Sequence, residues 1–441
     1  MFKTLRNALK VADIRRKLMF TFFMIVIVRI GSQIPTPGVN AAFVAEWWSN
    51  QTSSAFNFFN TITGSSFTEM SIFALSITPY ITASIIVQLL TIAIPRLEEL
   101  QKEGEEGRKV INKITRYLNI GLSVIQSVSM AIGFGSSFLI HYTWYNVIFV
   151  AAIMTTGSAV LMWIGEQITE KGIGNGISII LLVNIISDMP TDFMTLYTTF
   201  VSGKAIALGI VSVVVILALL LALVVFVIYL QDGERRIPVQ YAKKMQGRKL
   251  VGGQSSHIPL KVNTAGVIPV IFASSLLSFP GIIASFVGLN YSAPSTIPGY
   301  IIKALTQSYW CDPDAPIYSI GLVIYLVLLV FFAYFYTSIT FNPIEVANNM
   351  KKQGGFIPGI RPGKPTSEYL EHVLNYLIFI GAAGLAIVAV IPIVLTGLFG
   401  VGSSLCFFGT SLIIIVGVIL ETLKQVESMM LVRYYKGFLS D

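Results

Sequence analysis

The residues of this chain that could do chemistry are few, and their spacing argues against the common catalytic centres. Gly359-Ile360-Arg361-Pro362-Gly363-Lys364-Pro365 has the outline of a phosphate-binding loop. Such a loop needs a glycine six residues before the lysine, to let the backbone curl around phosphate, and a hydroxyl after it for magnesium. Pro358 and Pro365 stand at those positions, so any nucleotide must be hydrolysed by a partner. HExxH, GxSxG and paired metal-ligand spacings are absent, which leaves a hydrolase little support. His141, His257 and His372 fall in loops or at helix ends, where solvated or interface roles are the default. Cys311 and Cys406 fall toward the same side, so a disulfide is topologically possible, but two thiols without metal spacing are assigned no role. No cofactor and no metal is expected.

The elements that would position these residues are apolar. The chain of 441 residues is 54% hydrophobic and 12% charged, with a mean hydropathy of +0.75, the composition of a polytopic membrane protein. Ten stretches reach the ~20 apolar residues needed to cross ~30 Å of hydrocarbon. They lie at approximately 18–37, 70–94, 117–135, 144–165, 173–189, 205–230, 262–288, 317–341, 373–399 and 402–421. Runs such as Ile210 to Leu230 are continuously apolar, which fits helices and not the alternation of a strand barrel.

Charge orients them. Six Lys or Arg precede the first span, six lie in 95–116, Lys171 stands alone, seven fall between Arg235 and Lys261, four between Lys351 and Lys364, and three after the last span. All 27 lie on one side, against Lys204 and Lys303 on the other, with Arg29 inside a span. Cytoplasmic loops retain Lys and Arg, so both termini are expected in the cytoplasm of a multi-pass cell-membrane protein. Residues 3 to 17 form a basic amphipathic lead-in and not a cleavable signal. The spans hold almost no ionisable groups. Arg29 sits toward an outer end, where it is expected to snorkel to water, Glu166 at a cytoplasmic end and Glu69 at the outer start of the second span. That poverty disfavours a coupled ion transporter.

Ten helices divide into five and five, and an odd count per half lets the second half enter the membrane inverted. The halves are drawn at 1–200 and 201–441. Residues 55–68, AFNFFNTITGSSFT, are too short to cross the membrane; they read either as a partial helix on a hinge at Gly64-Ser65-Ser66 or as a half-buried external loop. Two long cytoplasmic loops, at about 231–262 and 342–372, carry structure of their own. Alternating Ile237, Val239 and Tyr241, then QGRKLVGG and HIPLKV, predict a protruding hairpin. Asn342-Pro343 predicts an N-cap and first turn of a helix to about Gln353.

Seven strings resemble, in order, the bacterial SecY family of translocon channel subunits. They are SIFALSITPYITASIIVQLL (71–90), KEGEEGRKVINKITRY (102–117), GEQITEKGIGNGIS (165–178), RRIPVQYAKK (235–244), HIPLKVNTAGVIPVIFASSLL (257–277), GGFIPGIRPGKPT (354–366) and GTSLIIIVGV (409–418). The resemblance implies an all-α fold: ten transmembrane helices in two inverted five-helix halves forming an hourglass pore. Its constriction would comprise Ile81 and Ile85 from the second span, Leu181 and Ile185 from the fifth, Ile271 from the seventh and Ile414 from the tenth. Ile81/Ile85 and Leu181/Ile185 are i, i+4 pairs, each on one helix face. The resemblance further implies a plug at about 56–66, with Phe56, Asn57, Phe58, Phe59, Asn60, Thr61, Ile62, Thr63 and Gly64 at its centre. A lateral seam would lie between the second and third spans and the seventh and eighth, with Gln126, Ser274 and Ser275 as polar latch groups. Pro269 and Pro280 make the seventh span its mobile edge. Lys243, Lys244, Arg248, Lys249 and Arg361 would meet the SecA motor or the ribosome, whose RNA phosphates attract basic tips without base readout. Most of the other basic residues need only set topology. Partners implied are SecE-like and SecG-like small membrane subunits, SecA, the ribosome, signal peptides, nascent chains and membrane lipid. The rival readings are a small-solute transporter and a lipid-embedded insertase without a through-path.

Overall fold

The computed structural model describes residues 10–40, 42–44, 46, 60, 62–135, 137–200, 206–241, 244–246, 249–251, 255–286, 296–311, 315–399 and 406–437. Each of the ten apolar stretches coincides with a helix: α1 (Ala12–Gly31), α2 (Thr78–Ala93), α4 (Glu105–Gly133), α5 (Trp144–Lys171), α6 (Gly176–Phe200), α7 (Ile206–Asp232), α8 (Ile268–Phe286), α10 (Ile320–Thr340), α12 (Lys364–Phe399) and α13 (Cys406–Gly437). Short helices α3 (Pro95–Lys102), α9 (Ile297–Leu305) and α11 (Pro343–Lys352) lie between them. Five strands complete the described elements: β1 (Glu234–Tyr241), β2 (Lys244–Gln246), β3 (Lys249–Val251), β4 (Ser255–Lys261) and β5 (Gly355–Phe356).

Among the described residues, five helical stretches are individually long and apolar enough to cross a membrane, and the bent pair α2–α3 makes a sixth. The chain turns by 107° between α2 and α3, at Ile94. Pro95 follows, and the residue before a proline is driven out of the helical region. α4 is less apolar than the other long helices because its buried face is polar. Thr115, Asn119, Ser123 and Ser127, spaced four apart, are buried against α5, while Ile120, Val124, Ile125 and Ile132 are exposed. Ser123 Oγ donates to Ser158 Oγ at 3.3 Å, and Ser127 Oγ lies 3.2 Å from Thr155 Oγ1. Small polar side chains let two helices approach closely where lipid supplies no hydrophobic drive between them. α7 is the opposite case, apolar all round, with Val211, Val214, Leu217, Leu221 and Val225 exposed as lipid would require.

The second span starts later than its composition suggests. Residues 64–77 form tight turns, and helix α2 begins only at Thr78, because Ser65, Met70 and Ser76 adopt positive φ (63°, 45° and 51°) and interrupt any helical run. The segment's backbone is satisfied by the strand-like stretch after α1: Thr36 N–H donates to Met70 O at 2.8 Å and Ile72 N–H to Ile34 O at 2.9 Å. Irregular backbone at membrane depth survives only when buried in protein in this way.

α1, α2, α4, α5 and α6 pack on one another, as do α7, α8, α10, α12 and α13. The two groups touch where α6 meets α7 and α13 and where α4 meets α8.

The loops carry one sheet of order β4-β1-β5. β1 pairs antiparallel with β4 from Glu234↔Lys261 to Gln240↔Ser255, as the alternating residues predict. Two features extend that prediction: β2 and β3 form a second small hairpin at the tip, and β5, from the other long loop, adds to the free edge of β1 through Gln240↔Phe356. Ile237 and Val239 point inward onto Met350, Ile357, Leu370 and Val373, so a separate core joins both loops to the start of α12. The helix after Asn342 is capped as its sequence predicts: Asn342 Oδ1 accepts from Ile344 N–H at 3.1 Å and Glu345 N–H at 3.3 Å.

Replacing Asn342 with Ala removes that acceptor and costs α11 about 1 kcal/mol. Hydrogen exchange of the 344–350 amides should then speed about five-fold with the spans unchanged; exchange identical to the parent protein would show that the cap carries no stability.

Candidate functional site

α6 begins after a turn that holds it against both ends of the chain. Ile173 N–H donates to Thr21 Oγ1 of α1 at 3.1 Å, and Gly174 N–H to Gln425 Oε1 of α13 at 2.6 Å. The helix that follows directs Leu181 and Ile185 inward, only 5% and 3% exposed. Ile271 of α8 and Ile414 of α13 join them in one apolar cluster with Ile62, and Ile81 of α2 packs against it. Four helices, two from each set of five, therefore meet in an aliphatic plate. Ile85, the sixth expected ring position, packs against the neighbouring cluster built by α7, α8, α10, α12 and α13.

On the side that carries the sheet, the plate is the floor of a cavity of about 260 Å³. Ile81, Leu181, Ile271 and Ile414 line its base, and Tyr80, Ser84, Gln88, Asn175, Ser178 and Tyr336 supply polar groups on its walls. The Gln88 Oε1 atom is buried with no protein partner. Ile177, Val267, Ile268, Phe272 and Val418 complete the lining, which contains no charged side chain to hold an ion.

The opposite side of the plate is covered by the segment before α2. Phe56, Asn57, Phe58, Phe59 and Thr61 lie outside the described residues, whereas Asn60, Ile62, Thr63 and Gly64 are described. Asn184 Nδ2, on the face of α6 shared with Leu181 and Ile185, donates to Ile62 O at 3.0 Å and to Ser76 Oγ at 3.2 Å. Gly64 sits at φ +64°, and a Cβ there would stand 2.8 Å from Asn184 Cα. Only glycine meets both demands. Arg29 does not snorkel as expected: its Nη1 turns inward to Gly64 O, 3.4 Å away. Ser65 Oγ donates to Asp188 Oδ1 in a short hydrogen bond.

Asp188 is the site residue that the sequence reading passed over. It is 5% exposed, in a span taken to be almost free of charge. A signal was present: Asn184 and Asp188 continue the i, i+4 face that carries Leu181 and Ile185, and a polar pair on that face of an apolar helix marks an interior with a task.

The remaining expected residues are dispersed. α4 and α8 touch, but Gln126 Oε1 is buried without a protein partner, and Ser274 lines a water-sized cavity with Trp310 and Tyr325. Ser275 is half-buried. Arg361 is exposed between Gly359 (φ +85°) and Gly363 (φ +107°), its carbonyl held by Thr366 Oγ1 at 2.8 Å. Lys244 and Lys249 belong to β2 and β3, at the tip of the loop; Lys243 and Arg248 lie outside the described residues. Cys311 is a free thiol, and burial raises its pKa.

The family model for SecY matches residues 71–423, which span α2 to α13 and hence every wall of the chamber. The chain belongs to the SecY family. Protein translocase subunit SecY of Halalkalibacterium halodurans is 43% identical, with 100% of each chain covered, and that of Bacillus subtilis is 42% identical over the same full extent. Among solved structures, one described as "The structure of a protein conducting channel" superposes with a TM-score of 0.63 at 19% identity, covering 95% of this chain and 93% of that one. A structure concerning the SecY plug domain and the closed state gives 0.61 at 19% identity, and canine Sec61 in a ribosome-channel complex gives 0.61 at 18%, both with the same coverage. At these identities the likeness is one of fold, that of the SecY and Sec61 channels.

In this SecY-family chain, Gly64→Ala should dislodge the covering segment, because the added methyl meets backbone and the φ is left-handed, a cost of at least about 1 kcal/mol. With Cys311 and Cys406 replaced by Ser, a cysteine at Thr68 should react faster with an impermeant maleimide in the Gly64→Ala background. Equal rates would mean that the segment does not depend on this contact.

Proposed function

We infer that the chain is the protein-conducting channel of a membrane translocase, and that polypeptide passes through the aliphatic plate between α2, α6, α8 and α13. The observation that carries this reading is the closure itself: branched side chains from helices of both groups meet with an uncharged chamber on one side and the segment before α2 on the other. A translocating chain presents every kind of side chain, so a constriction that could hydrogen-bond would stall on some of them. Aliphatic groups hold none, and a narrow apolar throat dewets when empty, which blocks ions without a charged filter. Leu181, where the SecY family commonly has isoleucine, keeps nearly the same volume.

Ile81, Ile85, Leu181, Ile185, Ile271 and Ile414 form the ring in this reading, and residues 56–66 the plug. The two halves, 1–200 and 201–441, move against each other about α6 and α7, and the contact of α4 with α8 marks the lateral seam. Gln126, Ser274 and Ser275 are its polar groups. A seam is required on thermodynamic grounds, since a segment with about ten Leu-like residues gains roughly 3 to 6 kcal/mol by entering lipid at the helix centre. Apolar segments leave sideways, and polar ones continue to the far side.

The basic-rich side is the cytoplasmic one, which puts the sheet and both termini there and the chain in the cell membrane. Lys243, Lys244, Arg248, Lys249 and Arg361 dock a driving partner, SecA or the ribosome; the chain itself hydrolyses no nucleotide. SecE-like and SecG-like subunits complete the assembly.

Ile414→Asn, or deletion of 56–66, should raise ion conductance of reconstituted vesicles and let proteins with weakened signal sequences cross. Conductance and signal selection both equal to those of the parent protein would sink the reading.

A further inference from the structure

Beyond the apolar ring, the described residues include a buried polar and charged cluster that the pore itself does not need. Asp188 lies on α6, 5% exposed, and its described side-chain hydrogen bond goes to Ser65 on the covering segment, not to a neighbouring helix. Its second oxygen, Oδ2, is buried with no protein partner. One turn earlier Asn184, 2% exposed, donates to the backbone of Ile62 in the same segment. From the other side Arg29 of α1 donates to Gly64 O, and its charge and that of Asp188 attract each other across the segment. Three polar side chains on two helices thus converge on four consecutive residues, 62–65.

We propose that Asp188, Asn184 and Arg29 form a polar clasp that holds residues 62–65 over the aliphatic plate and sets how readily the channel opens. The inference rests on reading that segment as the plug. Apolar seating alone would tie closure only to hydrophobic contact, which any passing greasy segment could replace. A charged clasp behaves differently. Closed, Asp188 is buried and Arg29 half-buried, and the segment compensates both. Open, the space the segment vacates admits water, which hydrates both groups, so neither state strands a bare charge in hydrocarbon. The half-satisfied carboxylate keeps the closed state from being too deep, because its free oxygen gains a partner only on opening. This is a two-state element of the kind that gates require.

The test measures resting ion conductance of the purified full-length chain, with its small membrane subunits, in vesicles, with residues 56–66 present or deleted. Asp188→Leu and Ser65→Ala should each raise conductance several-fold in the intact chain, and the double variant should leak no more than the worse single one, since both remove one bond. Asp188→Asn keeps an acceptor for Ser65 and should leak to an intermediate degree. Once 56–66 is deleted, Asp188→Leu should add nothing. Equal leak from the Asn and Leu variants, fully additive Ser65 and Asp188 effects, or a further rise from Asp188→Leu in the deleted background would each overturn the clasp while leaving the plug reading intact. If the deletion itself leaves conductance unchanged, the plug reading fails, and the clasp with it.

Discussion

The closure of branched aliphatic side chains between α2, α6, α8 and α13 is the contact on which the rest of the molecule depends. Leu181, Ile185, Ile271 and Ile414 are buried against one another although they come from helices far apart in sequence. A passage for arbitrary polypeptide cannot be specific to any of it, yet it must hold back ions when empty. Apolar surfaces meet both demands because they exclude water when they touch and form no hydrogen bonds when they part. Everything polar is accordingly displaced to either side of this plate, into the chamber of Tyr80, Gln88 and Tyr336 or under the segment 62–65.

Several polar groups in the helical interior have a clear structural use. The Thr115-Asn119-Ser123-Ser127 row joins α4 to α5 by hydroxyl contacts that permit close approach. The turns of 64–77 are irregular because they cover the plate, and their backbone is satisfied by the residues after α1. Hydrocarbon has no water to repair an unpaired amide, so irregular backbone is affordable only where protein encloses it. Arg29, Asn184 and Asp188 obey the same rule, facing inward to the chain that needs them.

The sheet solves a different problem. Two loops, separated by α8, α9 and α10, share one small core through Ile237, Val239, Met350 and Leu370, with β5 pairing on the edge of β1. The shared core therefore ties the loop that carries Arg361 to β1, β4 and the start of α12. Burying the alternating face of β1 fixes the register, since a slip of one residue would turn Ile237 and Val239 out to solvent.

Composition and order alone determine the multi-pass membrane character, the approximate location of ten helices, the β1–β4 hairpin and the Asn342 cap, because each depends on a solvent preference or on residues close in sequence. The family strings likewise bring Ile81, Leu181, Ile271 and Ile414 to attention. Contacts that join distant residues were decided only by tertiary structure. Nothing local to Arg29 says that it turns from water to Gly64, nor does anything near Ile85 say that it packs against the cluster of α7, α8, α10, α12 and α13. Asp188 is legible as a charge on the ring face of α6, but its meaning comes from Ser65, 123 residues away. A single helix can show which side chains share a face; what that face meets is set by how all the helices pack together.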